Sequence, residues 1–595
     1  MPKREPQGAS SNLEAYPAQL DKQQGTSTQL TSLSHLKCMA GRQTDDTETD
    51  PSWRIPDLLF PDTDLPKIDE SRNAVKPAQP EVRPRPRGRQ LRFNLRPRWW
   101  LSIVLVLQAA LSLRLIWLNT AFPDEALYLW AGHLEWAHLL HGTPLPAFPA
   151  FFSGAPVIYP PLGAIADSLG GLAGARLLSL CFMLVTTSLL YGVTLRLFNA
   201  QTGLYAAGIF AGLASTQYLG AFATYDAMAL MLTCTATWLG VRAADSSPSV
   251  RVLLTMLAAG AMILGDTAKY AAALFTPVVV LTVVLTSWWR NGRRVGIQSA
   301  AVMTVFSCLL LAAVLHLGGH YYWRGITTTT LTRESGSSSR AFLLFVSAKW
   351  EGAVVILALI GAAALIAARH RERPVVLLAC VLAGTPFLVP IEQARIETYT
   401  SLFKHVGYGA WFGAILAGYA FVAFQKAVAP SKIAQTVRIS ATAVAIVAVP
   451  QVPWAASKYG WPNTTNVIPA MKQVISSTNG PILADDRGNV LNYYLNSILE
   501  GREIYDTSFF AYNDPVSGRH LTQTPAFAAA LRKRYFSIIF LEFWDSVPQD
   551  DVVQADINRY GGYKLVAAIP YPATGSHGRA MIWVRLGGTS DRKHP

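Results

Sequence analysis

Between Trp99 and Trp454 the chain is a succession of apolar runs separated by short polar connections. About 20 predominantly apolar residues make a helix long enough to cross ~30 Å of hydrocarbon. Nothing in that interior can pair with an exposed backbone N–H or C=O, so each run must satisfy its own backbone as a helix. Windowed hydropathy puts about eleven spans near 99–119, 174–197, 203–221, 226–243, 251–265, 270–289, 297–317, 350–368, 375–390, 405–425 and 437–454. Charge agrees, since only 15% of the 595 residues are charged against roughly 25% in soluble domains. The predicted fold is an all-α polytopic membrane domain over 99–454, flanked by two unlike ends.

Residues 1–98 are rich in Pro, Gln, Ser, Thr and charge and poor in aromatics. A segment of that kind buries too little apolar surface to offset chain entropy, and is expected to be a disordered tail. It has no apolar h-region near its start, unlike a cleavable signal peptide. Residues 455–595 alternate strand-like runs, such as Ile482–Leu483, Tyr535–Leu541 and Ala580–Leu586, with helical patterns. A small α/β domain is expected there.

The formal net charge is +14, and the position of the charges says what it is for. Arg83, Arg85, Arg87, Arg89, Arg92, Arg96 and Arg98 stand directly before the first apolar run. Such a cluster reads as a cytoplasmic anchor to anionic lipid headgroups, and no nucleic-acid motif accompanies it. With the N-terminus cytoplasmic, five short loops carry basic residues on that same side: Arg196; Arg242 and Arg251; Arg290, Arg293 and Arg294; Arg369, Arg371 and Arg373; Lys426, Lys432 and Arg438. The positive-inside rule then places the C-terminal domain and the long first loop, 120–173, on the extracytoplasmic side. That loop is long enough to form helices lying on the membrane surface. The five cysteines form no CxxC pair, so neither a disulfide framework nor a zinc site is indicated.

The residues able to carry chemistry gather on that outer face. In Ala121-Phe122-Pro123-Asp124-Glu125-Ala126-Leu127-Tyr128, two carboxylates follow the first span. Helical neighbours diverge by about 100°, so one of Asp124 and Glu125 faces inward as a candidate general base. A plain helix start, where Pro and acidic residues suit the macrodipole, explains the same residues without chemistry. Tyr159-Pro160-Pro161-Leu162 reads as a rigid turn into the next span. Asp226 closes Thr224-Tyr225-Asp226 at a span boundary, where a carboxylate costs little. Lys269, in Gly265-Asp266-Thr267-Ala268-Lys269-Tyr270, stands against the positive-inside trend. The stretch Arg395 to His405 is also on the outer side, with Lys404 and His405 entering the tenth span, and its cations are placed either to hold a phosphate or to snorkel to headgroups.

Together the acidic pair, the PPL turn, the Tyr-Asp and Ala175-Arg176-Leu177-Leu178-Ser179 resemble the GT-C superfamily of integral membrane glycosyltransferases. The likeness is to bacterial relatives of protein O-mannosyltransferases and of the lipid A aminoarabinose transferase. It covers the membrane domain, most clearly from Asp124 to Lys269. The resemblance implies a polyprenyl-phosphate sugar donor and a protein, lipid or glycan acceptor. It implies Asp124 as general base with Glu125 beside it, and Asp226 orienting the acceptor or supporting the base. It also implies direct displacement with inversion, in a multi-pass protein of the bacterial plasma membrane. The residue before the paired prolines is often Lys or His in relatives and is Tyr159 here, which passes the phosphate contact to Lys269, Arg395 or Lys404. Tyr128, Tyr159 and His405 complete the expected substrate-binding set. No cofactor is called for, and metal dependence is left open.

Other features weigh less. His133, Glu135, His138 and His141 match no zinc spacing and read as a solvated helix face. Glu334 to Arg340, ESGSSSR, reads as a mobile loop or a lid. The sequon Asn463-Thr464-Thr465 is given no role. A transporter or lipid flippase is the main alternative class. It predicts inverted repeats and charges near mid-membrane, whereas the charges here lie at one interface. A scaffold needs no such number of spans.

Overall fold

The computed structural model describes residues 97–333, 335–427, 445, 448–485, 488–499, 501–544, 547–571 and 578–587. The expected disordered tail, Cys38, Glu334 and most of the expected span 437–454 lie outside the described residues. The membrane part is built of α1 (Pro97–Ile116), α2 (Pro123–His141), α3 (Tyr159–Leu197), α4 (Ala200–Gly212), α5 (Ala214–Leu219), α6 (Tyr225–Ala244) and α7 (Pro248–Ala268). It continues through α8 (Thr276–Asn291), α9 (Arg293–Ile326), α10 (Arg340–Arg369), α11 (Arg373–Gly384), α12 (Leu388–Arg395) and α13 (Leu402–Ala427). Among the described residues nine helices are long and apolar enough to cross a membrane, and the chain is a multi-pass membrane protein.

Two long helices contain breaks that locate the spans within them. In α3, Gly170 and Gly171 leave helical geometry, Gly171 at φ 60°. In α9, Gly319 does so at φ 64°. Glycine alone adopts these conformations at no steric cost. The part of α3 before its break belongs with α2 to the long first connection, which is helical as expected.

One expected span is corrected. The run 203–221 is not a single crossing helix, because it breaks at Leu213, whose backbone is extended (φ −67°, ψ 143°). The groups freed by the break are taken up inside the protein. Gln451 Oε1 accepts the Ala214 N–H at 3.0 Å, and Gln217 Nε2 donates to the Gly212 carbonyl at 2.8 Å. Broken backbone is tolerated at membrane depth only where protein covers it, and every residue from Ile209 to Leu230 is buried. Hydropathy reads apolarity, not continuity, and so joins the two pieces.

The C-terminal segment holds α14 (Gln451–Ser457), α15 (Val467–Ser477), α16 (Gly488–Leu499), α17 (Gln523–Arg532) and α18 (Val547–Tyr560). Its strands are β1 (Ile482–Ala484), β2 (Ile504–Asp506), β3 (Ala511–Asn513), β4 (His520–Thr522), β5 (Ile538–Leu541), β6 (Tyr563–Pro570) and β7 (Arg579–Arg585). Five of them form a mixed sheet in the order β2-β1-β5-β7-β6, with β1 parallel to both β2 and β5 and β7 antiparallel to β5 and β6. The strand-like runs at 482, 535 and 580 correspond to β1, β5 and β7. The segment is stitched to the α1–α2 turn: Asn119 Nδ2 donates to the carbonyls of Tyr459 (2.9 Å) and Trp461 (2.7 Å), and the Thr464 N–H donates to Thr120 Oγ1 at 3.0 Å. Helix α16 lies against α2, with Tyr494 OH accepting the Ala121 N–H at 3.0 Å.

Candidate active site

The two carboxylates at the start of α2 diverge, and their surroundings separate them. Glu125 is fully buried. Arg176 of α3 grips it through one edge of its guanidinium, Nε donating to Oε1 at 2.8 Å and Nη2 to Oε2 at 2.7 Å. Glu125 also accepts the N–H groups of Phe122 (3.1 Å) and Ala223 (2.8 Å). The remaining donors of Arg176 go to the carbonyls of Ile116, Asn119 and Thr120 at 2.6, 2.9 and 3.1 Å. A guanidinium has five N–H bonds in a fixed fork, and each has an acceptor here. This one pair therefore ties together the end of α1, the start of α2 and the turn before α6.

Asp124 faces the other way. Its side chain keeps 18% exposure, against none for Glu125 or Asp226. Lys404 Nζ stands 2.9 Å from Asp124 Oδ2 and 3.7 Å from Asp226 Oδ2. His405 Nε2 lies 3.4 Å from Asp226 Oδ1, and Thr224 Oγ1 donates to Asp226 Oδ2 at 2.9 Å. Asp226 is in the first turn of α6, where the helix dipole favours a carboxylate. Its carbonyl accepts from Tyr408 OH at 2.9 Å. Lys404 and His405 are aimed by the turn before α13: Ser401 has φ 63° and its carbonyl accepts the N–H of both residues at 3.0 Å. A positive φ in a residue with a side chain is sparsely populated, and such positions concentrate where surrounding structure imposes them.

A second cation sits on the neighbouring side of Asp226. Lys269 Nζ donates to Ser153 Oγ at 2.8 Å and to Tyr225 OH at 3.2 Å, and lies 4.5 Å from the centre of the Tyr225 ring. Tyr225 OH also meets Tyr128 OH and Ser153 Oγ, both at 2.5 Å. Lys269 is 3% exposed. Backbone pairing brings Ser153 here: the Ala155 N–H donates to the Thr267 carbonyl at 2.8 Å and the Tyr270 N–H to the Ser153 carbonyl at 2.9 Å. Between these bonds Gly154 is so close that a Cβ would fall 2.0 Å from the Ala268 carbonyl oxygen. Only glycine permits that approach.

The structure thus brings together Asp124, Asp226, Lys404 and His405, and beside them Lys269, Tyr128, Ser153 and Tyr225. Tyr159 is fully buried in the first turn of α3, against Gly163. Arg395 is paired with Glu392 at 2.6 Å with its side chain 66% exposed, and makes no contact with this group. His133 pairs with Asp167 at 2.7 Å, and Asp167 also accepts from Tyr493 OH at 2.5 Å. His138 Nδ1 lies 2.8 Å from the Thr143 carbonyl. In the serine-rich loop, the N–H groups of Gly336 and Ser338 donate to the carbonyls of Ile396 and Glu397. Sequence reasoning did not single out Ser153, nor the grip of Arg176 on Glu125. The signal for the second was present, since a lone arginine in an apolar run needs a buried partner.

The family model for dolichyl-phosphate-mannose-protein mannosyltransferase matches residues 164–316. No curated protein sequence matches the chain. Among solved structures, ArnT from Cupriavidus metallidurans in the apo state is similar, with 14% identity, a TM-score of 0.53, and 82% of this chain and 98% of that one covered. ArnT bound to undecaprenyl phosphate gives 13% identity and a TM-score of 0.55, over 84% of this chain and 99% of that one. The chain has the GT-C membrane glycosyltransferase fold. The oligosaccharyltransferase of Archaeoglobus fulgidus in its apo form is similar at 12% identity and a TM-score of 0.51, over 82% of this chain and 75% of that one.

Proposed function

We propose that this GT-C protein transfers a sugar from a polyprenyl-phosphate donor to a hydroxyl acceptor, with Asp124 as general base. The observation that carries the reading is the carboxylate of Asp124, partly exposed and fixed 2.9 Å from Lys404 beside the buried Lys269 group. A base must reach the proton it takes and must be held in aim; of the three carboxylates, Asp124 alone keeps an open edge. The acceptor hydroxyl gives its proton to Asp124 as its oxygen bonds to the anomeric carbon. The bond from that carbon to the phosphate oxygen breaks, and the lipid phosphate leaves with the electron pair. Attack opposite the leaving group inverts the anomeric centre.

Charge develops on the departing phosphate, and preorganised donors there stabilise it without reorganising. Lys269, Ser153 and Tyr225 supply an ammonium and two hydroxyls within one hydrogen-bonded group. We assign the donor phosphate to them, Tyr159 to the packing of α3, and no part in binding to Arg395. The matched family description and the undecaprenyl phosphate named for the bound ArnT structure both support a polyprenyl-phosphate donor. The arginine-rich connections support a cytoplasmic N-terminus and a site on the extracytoplasmic face of a bacterial plasma membrane.

The test is transfer of radiolabelled sugar from synthetic polyprenyl-phosphate donors to membrane-extract acceptors by the purified full chain in lipid. Label moving into a product supports the reading. Translocation of the lipid without transfer, across the donor panel, refutes it. In the same assay Lys269→Met is expected to raise the donor KM about 10- to 100-fold, the range for losing a hydrogen bond to a charged group. An unchanged donor KM places the phosphate elsewhere.

A further inference from the structure

We propose that Lys404 is a built-in counter-cation: its ammonium holds Asp124 and Asp226 where a divalent ion would otherwise have to stand, so transfer needs no metal. The inference rests on the glycosyltransferase reading and makes Lys404 a positioning residue, distinct from the phosphate-binding role given to Lys269. Asp124 and Asp226 belong to different helices, α2 and α6, and their Oδ2 atoms converge on a single Nζ from a third, at 2.9 and 3.7 Å. The lysine side chain is 4% exposed, and Nζ lies 5.6 Å from the centre of the Phe222 ring.

Two carboxylates brought this close in a poorly hydrated site repel unless a cation lies between them. Carboxylates that converge in this way commonly hold a divalent ion, with oxygens at about 2.0–2.6 Å. That position is taken here by Nζ. A dication seated between the same two oxygens would have to displace the ammonium from a buried place and then repel it. One positive charge also suffices, because Asp226 draws further support from Thr224 Oγ1, which donates to its Oδ2 at 2.9 Å. The consequence for the reaction is geometric. Lys404 fixes Oδ2 of Asp124, and the opposite carboxylate oxygen is left to face the acceptor.

The cation position can be probed with Mn2+ alone, which requires no donor and no turnover. Electron paramagnetic resonance titration of the full chain in lipid is expected to find no stoichiometric Mn2+ on the wild type. It is expected to find one Mn2+ per chain on Lys404→Met, lost again when Asp226→Asn is added, and none on Lys404→Arg, which keeps the charge. Stoichiometric Mn2+ on the wild type that Asp226→Asn abolishes would overturn the proposal. So would failure of monodisperse Lys404→Met to take up Mn2+.

Transfer supplies the second readout. Wild-type activity should be unchanged by EDTA, and Lys404→Met should lower kcat about 100-fold, as for a misplaced catalytic group, with donor KM unchanged. Loss of wild-type transfer in EDTA, restored by Mn2+, overturns the proposal. A raised donor KM at constant kcat also overturns it, by moving Lys404 to the phosphate. If the wild type transfers no sugar from any donor, the transferase reading fails, while the Mn2+ titration still decides the cation position.

Discussion

Replacing Asp124 by asparagine is expected to lower kcat for sugar transfer by about 10²- to 10⁴-fold, the span typical of losing a positioned general base. The amide is nearly isosteric and its oxygen can still accept from Lys404 Nζ, so geometry at the α2 start is preserved. What it cannot do is take the acceptor proton. Glu125 cannot stand in, because its oxygens are committed to Arg176 and to the N–H groups of Phe122 and Ala223. Asp226 is fully buried. Stability should change little, since a partly exposed group engaged in one ion pair is replaced by a neutral one able to keep a hydrogen bond. The check is single-turnover transfer from a labelled polyprenyl-phosphate donor, with thermal unfolding run alongside. If folded Asp124→Asn transfers as fast as the wild type, Asp124 is not the base, and the mechanism has to be rebuilt around another group.

How far this site was legible from the sequence depends on what each residue's position encodes. The spans were legible because hydrocarbon thickness sets a length and a composition that single sequences record directly. The break at Leu213 was not, because what licenses it is burial and the distant Gln451, neither of which alters local hydropathy. The acidic pair was visible as a pair. Helical geometry says that Asp124 and Glu125 diverge without saying which one meets the core, and that choice is made by Arg176, 51 positions from Glu125. Lys404 comes to Asp124 across 280 positions, so spacing carries no trace of the contact. Ser153 was invisible for a different reason. It lies in an irregular connection, and only backbone pairing around Gly154 brings its hydroxyl to Lys269. Arg395 has the composition of a basic residue near the outer mouth, and its pairing with the carboxylate of Glu392, three positions before it, is what composition alone does not report.

The buried pair of Glu125 and Arg176 sets the second large effect, and here the loss falls on folding as well as on rate. Removing one partner of a buried ion pair leaves an uncompensated charge, at a cost of about 3–5 kcal/mol. Arg176→Met should show this in full. It strands the Glu125 carboxylate and also frees the carbonyls of Ile116, Asn119 and Thr120, which the guanidinium had satisfied. Glu125→Gln should fall in the same direction, since in either orientation its amide NH2 is set against the guanidinium and a backbone N–H, that of Ala223 or that of Phe122, all of them donors. The double variant Glu125→Gln/Arg176→Met removes both charges and is expected to be more stable than Arg176→Met alone, a non-additivity that a double-mutant cycle measures. Thermal unfolding of the purified variants in lipid reads that coupling. Because the pair also joins the start of α2 to Ala223, and so sets Asp124 against Asp226, the variants that remain folded should lose kcat while keeping donor KM. Additive stabilities with wild-type kcat would reduce the pair to ordinary packing and leave Lys404 as the only tie between the two carboxylates among the contacts described.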